Sequence, residues 1–142
     1  MIAIIYRSKI TQNFPVQSIE LMLLKARIFN KRNTISGCIF YANNCFLQMI
    51  EGEDKVVKKL YEKIKADDRH SDIETLLIEK TDKRMMEDWS MVYYNMNDTA
   101  ENVLLKKKFF NSELSNSKNV DFEKKQNILT EHLNDILYFQ KV

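Results

Sequence analysis

Glycine, proline, cysteine and histidine are all scarce here: two, one, two and two residues in a chain of 142. Each scarcity removes a class of function. Gly37 and Gly52 are too few for a Gly-rich loop that cradles phosphate. Cys38 and Cys45 lack paired C-x-x-C spacing, so with His70 they make a poor metal-ligand set. No nucleophile stands beside a base in any motif, so no enzyme is expected. Long apolar runs are missing as well. None approaches the ~20 residues that span a bilayer. The apolar start Met1-Ile2-Ala3-Ile4-Ile5 passes directly into Tyr6-Arg7, which is not a signal-peptide pattern. The cysteines are therefore expected to be free thiols, and the protein to be cytoplasmic with no membrane contact. Charge of one sign is not in excess either. A formal charge of +2 gives no support for direct nucleic-acid or anionic-membrane binding driven by bulk charge.

What is present is an ordinary globular mixture, 44% hydrophobic and 30% charged, long enough for one domain with a real core. The stretch that organises it is Cys45-Phe46-Leu47-Gln48-Met49-Ile50-Glu51-Gly52. Strand side chains alternate between faces, so Cys45, Leu47 and Met49 share one face and Phe46, Gln48 and Ile50 the other. Both sets are apolar apart from Gln48. A central strand covered on both sides follows, with a buried amide that must find partners or cost roughly 1–3 kcal/mol per orphan group.

Around it the chain reads in order. Residues 1–8 form a first strand, with Ile2, Ile4 and Tyr6 on one face. Pro15 suits the first turn of a helix whose stripe is Ile19, Met22, Leu23, Ala26 and Asn30, ending at Lys31-Arg32. Residues 34–42 make a second strand, and Tyr41-Ala42-Asn43-Asn44-Cys45 a hairpin turn into the third. Gly52-Glu53-Asp54 opens a second helix with acids at its positive end, and Val56, Leu60 and Ile64 carry its stripe, with Val57 alongside. Ile73 to Ile78 is a fourth strand, and Val92-Tyr93-Tyr94 a short fifth. The order βαββαβ with a fifth strand is the ferredoxin-like α+β pattern, with both helices on one sheet face. Beyond about residue 96 the composition predicts a helix from Val103 to Phe110, a polar loop, and an amphipathic helix from Asp121 to Phe139. That last helix has Phe122, Leu129, Leu133, Ile136 and Leu137 on one side. These two helices are expected to cover the second sheet face or to bind a partner.

Three polar residues occupy positions where core residues belong: Tyr6, Asn30 and Gln48. In a ferredoxin-like sheet the first and third strands are adjacent, so Tyr6 and Gln48 become neighbours on the helix-covered face. Singly, each is most simply a satisfied core hydrogen bond. Together, converging between two helices, they point to a pocket for a planar polar ligand.

Six ordered motifs carry a resemblance. Tyr6-Arg7-Ser8, Asn30-x-Arg32, Ile35-Ser36-Gly37-x-Ile39-x-Tyr41, Phe46-Leu47-Gln48-x-Ile50-Glu51-Gly52, Asp67-x-Arg69-His70-Ser71 and Trp89-Ser90-Met91 resemble the signature of BLUF domains, blue-light sensors that bind a flavin. The resemblance implies a photosensor domain over residues 1–95 and a helical extension over 96–142 that caps it or binds a partner. It implies FAD as cofactor, with FMN and riboflavin open as alternatives. The ring would lie between the two helices, with Asn30 on its carbonyl and imide edge and Gln48 between it and Tyr6. Blue light would drive electron and proton transfer from Tyr6, leaving the Gln48 amide rotated or tautomerised. Trp89 and Met91 would be the switch elements, and which of them faces the flavin stays open. Met22, Arg32, Lys63, Ile64, Asp67, Arg69 and His70 complete the implied flavin-binding set. The bland readings stay beside these roles: a solvated helix lysine for Lys63, a turn residue for His70, a helix cap for Asp67.

The pattern has departures. Met22 stands where isoleucine is common in the family, Ala26 where many members have serine, and Met86 where an aromatic is frequent. They touch spectral tuning and recovery rate, not the essential groups. The resemblance implies output through a downstream signalling protein, with a homo-oligomer open. An RNA-binding ferredoxin-like domain, or a small-molecule module without photochemistry, is the alternative. The RNA reading needs stacking aromatics and cations on the open strands, where this chain has an acidic Ile50-Glu51-Gly52. Lys106-Lys107-Lys108 beside Phe109-Phe110 reads as a solvated helix face.

Overall fold

The computed structural model describes residues 1–11, 14–15, 17–87, 90–97 and the helix 120–138. In chain order the elements are β1 (Ile2–Ile10), α1 (Ser18–Arg32), β2 (Ser36–Ala42), β3 (Cys45–Gly52), α2 (Asp54–Lys65), β4 (His70–Lys80), β5 (Val92–Asn95) and α3 (Val120–Tyr138). The strands form one five-stranded sheet in the order β4-β1-β3-β2-β5. β1 and β3 are antiparallel central neighbours, and β5 joins the edge parallel to β2. This is the ferredoxin-like arrangement with its fifth strand.

Local chemistry explains the joints. β2 and β3 are linked by Asn43 and Asn44, both left-handed at φ 55° and 60°. That two-residue turn twists with the strands, and asparagine tolerates it well. The Glu53 side chain caps α2 by accepting from the N–H groups of Lys55 and Val56 at 3.1 and 3.0 Å. Gly37 has a steric reason: a Cβ there would sit 2.2 Å from the Met49 carbonyl oxygen of the paired strand.

Two apolar clusters lie on opposite faces of the sheet. One joins Ile4, Tyr6, Phe46 and Ile50 to Ile19 and Leu23 of α1 and to Val57 and Tyr61 of α2. The other joins Ile5, Leu47 and Met49 to Met85, Met86 and Leu129. The alternation along β3 is therefore as the sequence predicts. α3 lies against β3 and β2, burying Leu129 and bringing Lys125, 2% exposed at its side chain, within 3.6 Å of the Glu79 carboxylate. The second sheet face is thus covered by a helix.

Several elements differ from the sequence reading: β1 runs on to Ile10, beyond the predicted residue 8, and β2 begins at Ser36 rather than at residue 34. α1 begins at Ser18, because Pro15 sits in a preceding turn whose carbonyl accepts from the Ser18 N–H at 2.9 Å. On α2 the fully buried residues are Val57 and Tyr61, while Val56, Leu60 and Ile64 are half-buried. The helix packs on the sheet through 57 and 61, and its 60/64 edge faces the space between the helices. β4 extends beyond Ile73–Ile78 at both ends, since its pairing with β1 runs from His70 opposite Ile10 to Lys80 opposite Ile2. α3 spans Val120–Tyr138 rather than Asp121 to Phe139. The predicted helix from Val103 to Phe110, Lys106–Lys108, Trp89, and the side chains of Phe122, Leu133, Ile136 and Leu137 lie outside the described residues.

Candidate functional site

Between α1 and α2, above the centre of β1 and β3, is a cleft of about 260 Å³. Its floor is the pair foreseen from strand alternation. Tyr6 and Gln48 are register partners across β1 and β3, and the Tyr6 hydroxyl donates to Gln48 Oε1. Gln48 Nε2 donates in turn to the Met91 thioether at 3.8 Å. Tyr6 is fully buried against the Tyr61 ring, centroids 5.0 Å apart. Burial first, then the neighbouring Tyr61 and Asp67, pushes the Tyr6 phenol far above its ordinary range.

α1 supplies Asn30, buried because its stripe turns inward at that position. Asn30 Nδ2 donates to the Ser90 carbonyl at 2.7 Å. Its Oδ1 takes no hydrogen bond from the described residues, so one acceptor remains for a ligand in the cleft. The walls are apolar: Met22, Leu23 and Phe29 from α1, and Leu60 and Ile64 from α2. The mouth is charged, with Lys25, Lys63, Asp67 and Arg69. Asp67 is held below the ordinary carboxyl range chiefly by its hydrogen bonds from Arg69. His70 shares a 3.2 Å hydrogen bond with Ser8 Oγ, and burial lowers its pKa.

The cleft gathers Tyr6, Met22, Asn30, Gln48, Lys63, Ile64, Asp67, Arg69, His70 and Met91 from among the candidates. Arg32 is the exception, exposed on the last turn of α1 and away from the cleft lining. Met91 is 4% exposed and lines the cleft beside Gln48; Trp89 lies outside the described residues. Sequence reasoning missed Arg27, whose Nε donates to the Met91 carbonyl at 3.0 Å, and it missed Phe29 and Leu60 as walls. Leu60 could have been found, since it stands one turn before Ile64 on the same face. Cys38 is buried and Cys45 half-buried, both free. Burial raises both thiols, so neither is poised to react.

A planar ring fits this donor set. Apolar walls can sandwich it, while deep amides match a heterocycle edge with both donors and acceptors. Fold and site together define a ferredoxin-like α+β domain with a ligand cleft between its helices. The family model described as "BLUF: Sensors of blue-light using FAD" matches residues 1–92, and the chain belongs to the BLUF family.

Its relatives agree. The blue light- and temperature-regulated antirepressor BluF of Escherichia coli (strain K12) is 36% identical over 74 residues, 52% of this chain and 18% of that protein. Photoactivated adenylate cyclase subunit beta of Euglena gracilis is 32% identical over 90 residues, 63% of this chain and 10% of that one. The chain therefore spans under a fifth of the length of these curated relatives. Among solved structures, the photo-activated state of BlsA is 32% identical with a TM-score of 0.67, covering 96% of this chain and 94% of that chain. The dark state of BlrB, a BLUF protein, is 26% identical with a TM-score of 0.68, covering 91% and 96%.

Proposed function

We propose that Tyr6, Gln48 and Met91 form the light switch of this blue-light sensor. The observation that carries the reading is their continuous chain: hydroxyl to amide oxygen, amide nitrogen to thioether. A flavin bound in the cleft supplies blue-light absorption and, once excited, a sink for one electron. Tyr6 is the donor at the floor. Its phenol holds its proton throughout the physiological range, so the proton leaves only when the electron does, and Gln48 Oε1 is the atom waiting for it.

Gln48 has two ends of near-equal size, so rotation or tautomerisation rewires bonds at little steric cost. Return of the electron from the ligand and of the proton from Gln48 restores the Tyr6 phenol, and with the amide rotated Nε2 faces that hydroxyl, which can accept, while the carbonyl end faces Met91. A thioether next to a carbonyl oxygen has lost its donor, so Met91 is no longer held. Asn30 anchors the ligand edge throughout, with its other end tied to the Ser90 carbonyl.

The cofactor is FAD or FMN rather than riboflavin. Supporting this, the cleft adjoins a groove that shares Phe29, Leu60 and Lys63 with it and adds Lys55 and Lys59. Among the described residues none of these three lysines has a carboxylate partner, which suits a phosphate-bearing tail. Residues 1–95 form the sensor and 96–142 the output extension. The E. coli relative's role as an antirepressor supports output by light-dependent binding of another protein, without catalysis in this chain. α3 is the surface we assign to it. The sheet face an RNA-binding reading would need is the one α3 covers.

An absorption spectrum of the chain reconstituted with FAD, taken in darkness and after blue light, tests this. A small, reversible red shift is expected; a bleached or fixed flavin band would leave the cleft but remove the switch.

A further inference from the structure

Glu51 lies three residues beyond Gln48 on β3, on the opposite face, and is 0% exposed. Burying a carboxyl group is costly unless its oxygens are satisfied. Here Oε2 accepts from the Met85 N–H at 2.9 Å, and Oε1 from the Met86 N–H at 2.7 Å and from Ser36 Oγ at 3.2 Å. Arg84 closes the cluster. Its Nη1 donates to Ser36 Oγ at 2.8 Å and to the Glu51 main-chain oxygen at 3.2 Å, and its Nη2 to the Thr34 carbonyl at 2.7 Å. The Tyr6–Gln48 chemistry uses none of these groups.

What the cluster holds is the stretch Arg84 to Met86, at the start of the run that ends at Met91. Met85 and Met86 pack in the cluster under α3 with Leu129, while Met91 packs in the cluster under α1 and α2. The two ends of the run thus pack on opposite faces of the sheet. Its far end is tied down in the cleft by Asn30 to the Ser90 carbonyl, Arg27 to the Met91 carbonyl and Gln48 to the Met91 sulfur. Both ends are held by β3, through Glu51 on one face and Gln48 on the other. From Met86 to Ser90 the chain reaches at most ~14 Å, which bounds how far the two ends can move apart.

We infer that Glu51, with Ser36 and Arg84, is the positioning anchor that sets where Met91 meets Gln48 and carries a displacement of Met91 across to the α3 face. This rests on the switch reading above, but the anchor has a signature of its own in the dark.

The test uses the 142-residue chain reconstituted with FAD, as wild type, Glu51→Gln and Arg84→Gln. Glutamine puts an NH2 against a backbone N–H, breaking a bond to Met85 or Met86. Arg84→Gln spares those bonds and guards against a Glu51 variant that folds poorly. Dark hydrogen exchange of the peptide 84–91 should quicken at least tenfold in Glu51→Gln and threefold in Arg84→Gln, with β1 unchanged. Recovery from the red-shifted state should slow at least fivefold in Glu51→Gln, because the sulfur that receives the returning amide is misplaced. In a Met91→Ala background, with no sulfur to position, Glu51→Gln should alter recovery less than twofold. Unchanged exchange in both variants overturns the inference. So does faster recovery, or a recovery effect of equal size in both backgrounds. A wild type that binds no FAD or shows no shift defeats the switch reading instead, and the exchange result still decides the anchor.

Discussion

Gln48 Nε2 and the Met91 sulfur face each other at 3.8 Å, joining the centre of the sheet to the residue just before its last strand. A sulfur acceptor is a weak partner for a buried amide, and weakness suits a contact that the proposed switch breaks and remakes.

The contact makes a first prediction. Met91→Leu keeps the volume and removes the acceptor. Flavin affinity should change less than threefold and the red shift should persist, because Tyr6 and Gln48 are untouched. The light-minus-dark change in hydrogen exchange over residues 84–95 should vanish. An unchanged difference would show that the signal leaves by another route.

The lysine groove makes a second. In the Lys55→Gln/Lys59→Gln variant, FAD affinity should fall about tenfold, or ~1.4 kcal/mol, while riboflavin affinity stays within twofold. The FAD preference of the wild type should also shrink as salt is raised. Equal losses for both flavins would mean the lysines support the helix and not a phosphate.

pH dependence gives a third. Burial lowers the His70 pKa in the folded protein, while the unfolded chain titrates near the ordinary value of ~6.5. Above that value both states are neutral and the full contribution is present. As pH falls below it the unfolded chain takes the proton first, so stability drops until the folded His70 is also protonated. The melting temperature should therefore fall from pH 7 towards 5, and His70→Gln should flatten that fall. Asp67 acts in a separate window: its depressed carboxyl contributes above the ordinary carboxylate value of ~3.9 and is lost below it. Matching slopes in wild type and His70→Gln would contradict the assignment.

Much of this was legible from strand alternation alone. Tyr6 and Gln48 fall on one face because each alternates onto the helix-covered side of two strands that the βαββαβ order makes neighbours and that pair with Tyr6 opposite Gln48, and Asn30 closes a helical stripe. Periodicity could not show that Leu60 and Ile64 line a cleft while Val57 and Tyr61 meet the sheet, since both sets lie on the apolar half of α2. Glu51 read as the acidic end of a strand, yet it shares its face with Leu47 and Met49, and a carboxylate there was a signal of its own. Its partners Met85 and Met86 are 34 and 35 residues away in sequence, so only the fold reveals them. Lys125 was hidden for the same reason, since its partner Glu79 lies on a distant strand.

The Gln48 amide is the moving part of the proposed switch, and Gln48→Ala removes it. The variant leaves the Tyr6 hydroxyl without its acceptor, which should cost roughly 1–3 kcal/mol of stability in chemical denaturation. Absorption spectra of variant and wild type, both loaded with FAD, are recorded in darkness and after blue light. Bound flavin is expected in both, and a reversible red shift in the wild type alone. A normal red shift and recovery in Gln48→Ala would contradict the proposed switch.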